Sequence, residues 1–379
     1  MDSIEEIKIN DIWQHHVNIL IGSGASYGLF PTLETEMEGE SIETIGKYFE
    51  DEEKYQHKSL LFMYYYINCI KPVITYDIED TKFGADLDID DDIAKLAVIE
   101  NYKILLNTLK TIASKNKSHK KTNIFTTNYD SCFADAYEEL LLDQYNLDFT
   151  LNDGTKGFRR KFLEAQNFDT SNIRHSLFGK SKFDIPQTNL IHLHGSAFWT
   201  LNENKIAVNY ENKKCKFEEN FFEPIKVKLD ELSLIINKSV STRADFDVIT
   251  FDDDFSKIES EFWAIYNKLP IVNPTKWKFH ETVFDEHYYQ MLRLMSYELE
   301  KQDSVLIVFG FSFADEHITN LIKRSLGNKT LTMYICCFDS RTFQDMEGVF
   351  GDISNVKLVQ QDSLLDFNTF NKAVFKLPS

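Results

Sequence analysis

In Ile191-His-Leu-His-Gly-Ser196 a histidine and a glycine close an apolar run. Histidine titrates near neutrality, so His194 can take a proton from a water or a hydroxyl. A second run ends in Thr126-Thr-Asn-Tyr-Asp130. There the Asn128 amide can donate and accept without titrating, and Asp130 adds a carboxylate acceptor. A third ends in Gly22-Ser-Gly-Ala-Ser-Tyr-Gly28, one residue longer than the dinucleotide-binding fingerprint. Its first glycines allow a tight turn and close backbone approach to a pyrophosphate, with the N–H groups of a following helix facing the anion. The fourth fragment is Gly310-Phe-Ser-Phe-Ala-Asp-Glu-His317. These residue types can hold a phosphate-bearing ligand and move a proton beside it.

Four fragments so far apart meet only if their strands run parallel and end on one edge. Short apolar runs precede each: Val17–Ile21, Asn123–Phe125, Leu190–Leu193 and Ser304–Phe309, with two more at Leu331–Phe338 and Asn355–Val359. Their length and lack of alternation predict strands buried on both faces. Helical patterns follow at Ser131–Gln144 and Asp315–Ser325, Asp315 serving as an N-cap. Strand then helix, repeated, predicts an α/β fold, a Rossmann-like doubly wound parallel sheet with helical insertions, whose ligand crevice lies outside the strands' carboxyl ends. One domain over 1–379 is expected, its core at about 12–33, 119–199 and 302–379. A helical insertion fills about 34–118, with an acidic loop at Asp86–Asp92, and a mixed insertion fills about 200–301, ending in a helix over Glu286–Lys301.

The 379 residues carry a formal charge of −19 and are 43% hydrophobic, enough for a sizeable core. Such a surface repels phosphate backbones, so no direct nucleic-acid binding is expected, and the basic run Lys115–Lys121 reads as a solvated loop. Cys69, Cys132, Cys215, Cys336 and Cys337 form no Cys-x-x-Cys pair, which fits a reduced cytoplasmic setting. With no leader and no apolar stretch of spanning length, neither secretion nor membrane insertion is expected.

In order and wording, Gly-Ser-Gly-Ala-Ser at 22–26, Thr-Asn-Tyr-Asp at 127–130, Leu-His-Gly at 193–195 and Gly-Phe-Ser at 310–312 resemble the sirtuin family. The resemblance implies NAD as substrate. It implies NAD binding by Gly22, Gly24, Ala25, Ser26, Thr127, Asp130, Gly310 and Ser312, with Asn128 and His194 catalytic. Deacetylating sirtuins carry a four-cysteine zinc module after the histidine, where this chain has only Cys215, so no metal is expected. The phrasing is similar to the zinc-free prokaryotic anti-phage defence branch. That branch implies an NAD glycohydrolase releasing nicotinamide and ADP-ribose, in a regulated homo-oligomer partnered by a HerA-type DNA-translocating ATPase. The helical insertions are the expected surfaces for assembly and docking. The glycosidic cleavage it implies passes through an oxocarbenium-like ribose, which needs orientation and one aimed water.

Other readings stand beside these. Zinc-free protein deacylation, a non-catalytic module sensing NAD or ADP-ribose, and a scaffold with a vestigial site are alternatives to hydrolysis. His192 and His194, two apart on a strand, share a face as in some metal sites, although a buried structural role suits His192 better. Asp315 and His317 read as helix-capping residues, Asn128 and Asp130 as an Asx turn or N-cap, Asp339 as a loop carboxylate, and Phe62-Met-Tyr-Tyr-Tyr66 as core.

Overall fold

The computed structural model describes residues 3–78, 89–144, 147–175, 182–272 and 283–378. Its centre is a sheet of eight strands: β1 Ser3–Ile4, β2 His16–Ile21, β3 Lys121–Thr126, β4 Thr150–Asn152, β5 Gln187–His192, β6 Ser304–Phe309, β7 Thr332–Cys336 and β8 Val356–Val359. They lie in the order β1-β8-β7-β6-β2-β3-β5-β4, and every neighbouring pair is parallel. From β2 the chain builds outward through β3 to β5, then returns to the other side of β2 and builds through β6 to β8. The switch point therefore falls between β2 and β6, where a doubly wound sheet opens its ligand crevice.

Helices cover both faces, which is why the inner strands are apolar without alternation. Val17, Ile19 and Ile21 of β2 share one core with helices α1 Ile42–Asp51, α2 Tyr55–Tyr65, α3 Ile89–Lys115 and α4 Cys132–Asp143. Helices α5 Lys226–Ile236 and α6 Asp253–Tyr266 pack into the same core. Leu20 points the other way, as strand geometry requires. It joins Leu306 and Val308 in a second core beneath α7 Val283–Glu300, α8 Glu316–Ser325 and α9 Ser340–Phe350. A four-stranded antiparallel sheet made from Thr155–Lys156, Lys161–Leu163, Trp199–Asn202 and Lys205–Val208 adds Leu163, Trp199 and Ile206 to that second core. The acidic stretch Asp86–Asp92 lies outside the described residues as far as 88, and the rest opens α3.

Register in the sheet is specified by a ladder of amides, buried at Asn18, Asn123 and Asn189 and half-buried at Asn152. Asn18, Asn123, Asn189 and Asn152 are paired across β2, β3, β5 and β4. Asn123 Nδ2 donates to Asn18 Oδ1 at 2.8 Å, Asn189 Nδ2 to Asn123 Oδ1 at 2.9 Å, and Asn152 Nδ2 to Asn189 Oδ1 at 3.0 Å. Asn18 Nδ2 continues the line to Ser304 Oγ on β6 at 3.0 Å. A one-residue slip would break every rung and turn each strand's side chains over, so the ladder fixes where each strand ends.

Candidate functional site

At the carboxyl edge lies a cavity of about 580 Å³, lined from all four punctuated loops by residues that include Ser26, Asn128, Asp130, His194, Gly310 and Ser312. Thr127 joins them, its N–H donating to Ile21 O at 3.1 Å, while Leu193 N donates to Thr126 O at 2.8 Å. These bonds tie the loops after β2, β3 and β5 into one rim. Gly22, Gly24 and Ala25, expected to bind the nucleotide, are not among the residues that line the cavity, and Gly24 N donates to Gly310 O at 3.0 Å. A Cβ on Gly24 would lie 2.7 Å from the Gly310 Cα, so the two glycine loops are pressed backbone to backbone.

Ser26 is the hub of the site. Its Oγ donates to Asp130 Oδ2 at 2.7 Å, which uses the hydroxyl's one proton. Tyr102 of α3, 2.7 Å away, must therefore donate to Ser26, and Asn128 Nδ2 donates to it at 3.1 Å. Both lone pairs are then filled. Burial pushes the Tyr102 hydroxyl well up, with Asp130 adding to it, so it stays a donor. Asp130 Oδ1 also accepts from Cys132 N at 3.1 Å, the Asx geometry expected, and both carboxylate oxygens are thus engaged inside the protein. With its Nδ2 tied to Ser26, Asn128 is left with Oδ1 buried and without a hydrogen-bond partner among the described residues.

The two histidines part company. β5 ends at His192, and His194 lies beyond it in a bend, so the shared strand face expected of a His-x-His pair does not form. His192 is buried against Trp199, and its Nδ1 donates to the Asn128 carbonyl at 3.1 Å, which holds the loop carrying Asn128. Burial holds its basicity below the ordinary value. His194 lines the cavity, with Nε2 2.9 Å from Asp315 Oδ2. Asp315 is the N-cap of α8, as expected, Oδ1 accepting from Ile318 N at 2.9 Å. Burial pushes its carboxyl up, but the hydrogen bond and charge of His194, with the Ile318 N–H, outweigh that and hold it below the usual carboxylate range. Among the described residues no three His, Cys, Asp or Glu gather as a metal site.

Sequence reasoning missed the far wall. Glu43, Thr44 and Lys47 of α1, and Tyr65, Cys69 and Val73 from the α2 segment, line the cavity. These last three are spaced by four across a π-turn at Tyr66–Ile70, just before Pro72, whose ring cannot tolerate the carbonyl four residues back. Burial pushes the Glu43 carboxyl up, and Asp315 adds to it. No local pattern marks these residues, because only folding brings the insertion over the switch point. His317 also lines the cavity, while Asp339 caps α9 through Thr342 N at 2.8 Å.

A Rossmann-like sheet with a polar cavity at its switch point, glycine loops beneath it and a histidine–carboxylate pair beside it defines a nucleotide-binding α/β protein with the means for proton transfer. The chain belongs to the SIR2-like domain family, whose model matches residues 122–345. SIR2-like domains use NAD, and the family's members are NAD-dependent enzymes. The match takes in Asn128, Asp130, His194, Gly310 and Ser312. No curated protein matches the chain. No helix among the described residues is long and apolar enough to cross a membrane.

Proposed function

We propose that this protein is an NAD glycohydrolase that cleaves NAD to nicotinamide and ADP-ribose. The observation that carries the reading is Asn128 Oδ1, a buried acceptor with no partner among the described residues, on a side chain that lines the same cavity as His194. An unsatisfied buried carbonyl costs on the order of 1–3 kcal/mol and is a standing demand for a donor. A ribose hydroxyl or the attacking water meets it. The cavity of about 580 Å³ suits an NAD-sized ligand.

In this reading Asn128 orients the nicotinamide ribose and the water, and His194 takes the water's proton. Water oxygen bonds to the anomeric carbon as the carbon–nitrogen bond breaks, and its electron pair leaves with nicotinamide, neutralising the pyridinium nitrogen. Asp130, with its oxygens on Ser26 and Cys132, supports Asn128 through Ser26 and adds negative potential near the developing positive charge. Thr127, Gly310 and Ser312 hold the nucleotide, while Ser26, its hydroxyl fully engaged within the protein, orients Asn128.

The family resemblance supports a wider proposal, in which NAD depletion serves anti-phage defence in the cytoplasm. The chain would act as a homo-oligomer under the control of a HerA-type DNA-translocating ATPase, with DNA reached through that partner because the chain's own charge is −19. Five free cysteines agree with a reducing setting. The test is mass spectrometry of NAD incubated with the purified chain, alone and with a HerA-type ATPase. Nicotinamide and ADP-ribose in equal amounts are expected. Nicotinamide released only with an acyl-lysine peptide would favour zinc-free deacylation, and NAD bound intact in both arms would favour a sensing module.

A further inference from the structure

Asp315 carries two duties on one carboxylate. Oδ1 accepts from Ile318 N at 2.9 Å and caps α8, while Oδ2 lies 2.9 Å from His194 Nε2. Both side chains are largely enclosed, at 15% exposure for His194 and 13% for Asp315, so the contact is little screened by water. The loop that delivers Asp315 is strained: Phe313 sits at φ 60°, a conformation a bulky residue rarely adopts. It is kept there by its ring, packed 4.9 Å from that of Phe350, and by Thr319 Oγ1, which donates to the Phe313 carbonyl at 3.0 Å. A helix cap alone requires no such loop, because any residue ahead of α8 with a short acceptor side chain would serve.

We propose that Asp315 is the positioning residue of His194, fixing the imidazole in the tautomer that carries its proton on Nε2 and so making Nδ1 the basic nitrogen. A carboxylate only accepts, so a nitrogen 2.9 Å from it must hold the proton, and a turn of the ring lines up the Nε2–H, which in the structure is not aimed at Oδ2. When Nδ1 takes the proton of the attacking water, the ring becomes a cation with its Nε2–H still on Asp315, and the carboxylate balances the new charge. The carboxyl's depressed protonation keeps it an anion throughout the neutral range. Glu43 and Glu316 line the same cavity, so further carboxyl groups stand near the pair. The kinetic half of this proposal rests on the NAD-cleaving reading above, and the tautomer half rests on geometry alone.

Asp315→Asn separates the two duties. Its amide oxygen can keep the cap on Ile318 N, since asparagine caps helices about as well as aspartate. That places the amide N–H₂ against His194 Nε2, which must then accept, and the proton moves to Nδ1. The expected result in long-range nitrogen–proton NMR of histidine-labelled protein at pH 8.5 is an Nε2–H signature in wild type and an Nδ1–H signature in the variant. Thermal melting should be unchanged, and kcat for nicotinamide release should fall roughly 10²–10⁴-fold with KM little moved. Asp315→Ser, which can cap α8 but is too short to reach His194, should lose kcat without the reversal. An Asp315→Asn variant that keeps the Nε2–H signature, or reverses it with wild-type kcat, overturns the proposal. If wild type releases no nicotinamide, the NAD-cleaving reading fails, and the NMR comparison still decides the pairing.

Discussion

Gly22 and Gly310 stand so close across the switch point that a Cβ on Gly22 would lie 2.3 Å from the Gly310 carbonyl oxygen. The glycine spacing that reads as a phosphate turn is thus required first by the protein's own backbone. Gly310 is held from its side too, with φ 64° and a notional Cβ 2.7 Å from Ala25 N. Each loop leaves room for the other.

Gly22→Ala should therefore destabilise the fold by about 2–3 kcal/mol, the usual cost of forcing extra volume into a packed interior, because the obstacle is backbone and cannot swing away. Gly28→Ala makes the contrast. Gly28 has φ 93° but nothing nearer than a Val98 methyl at 3.7 Å, so only the backbone penalty of about 1 kcal/mol applies. Urea unfolding of the two variants gives the comparison, and equal midpoints would refute the crowding.

Asn128→Ala should reduce NAD turnover on the order of a hundredfold or more, as expected for loss of a positioning group, with the fold retained. Ser26→Ala should reduce it by a similar factor although Ser26 performs no chemistry, because it frees the Asn128 amide that its Oγ holds at 3.1 Å. The double variant should be little worse than either single one, since both changes remove the same oriented group. Strictly additive losses would show that Ser26 and Asn128 act independently.

Asn123→Ala should cost about 2–4 kcal/mol, because it strands Asn18 Oδ1 and one N–H of Asn189 Nδ2, whose other N–H keeps Phe168 O, each at roughly 1–2 kcal/mol. Asn123→Asp should cost more at pH 8 than at pH 5. A carboxylate cannot donate to Asn18 Oδ1, whereas the protonated acid can. Chemical denaturation at the two pH values is the measurement, and equal losses would mean the ladder is not a directed chain of donors.

The runs ending at Ile21, Thr126, His192 and Phe309 were legible as strands because a parallel sheet covered on both faces demands unbroken apolar residues, and glycine, asparagine and histidine mark where that demand stops. Asp315 was legible as a cap because the rule for caps is local. Its second role was not, since nothing in the local sequence of either residue records that α8 begins 2.9 Å from His194. Glu43, Lys47 and Tyr65 were invisible for the same reason, and Asn18 and Asn189 gave no sign of a ladder because each looks like an ordinary polar residue in an apolar run. The His-x-His pairing failed on a boundary. A shared face needs two more residues of strand beyond His192, and a bend stands at Leu193 and His194 instead.

Stability should fall as the pH drops below about 6.5, and His287 gives a clean way to see it. Its ring meets Trp199 edge-on at 5.2 Å, with His192 on the same indole at 5.8 Å. Burial pushes the His287 imidazole down to about 4, the nearby His192 adding to the effect. The unfolded chain then binds a proton near 6.5 that the folded chain refuses until about 4. The His287 contribution is therefore intact above 6.5 and is lost as the pH falls toward the folded value, at about 1.4 kcal/mol per pH unit. Asp135, which burial pushes up to about 6, works in the opposite sense over the lower part of that window. For this reason the quantity to measure is the difference between wild type and His287→Phe, a change that keeps an aromatic ring against Trp199. Relative to its value at pH 7.5, that difference should shift in favour of the variant by about 2 kcal/mol at pH 5. A difference that stays constant from pH 7.5 to pH 5 would mean that His287 is already protonated in the folded protein and would refute the effect of burial beside Trp199.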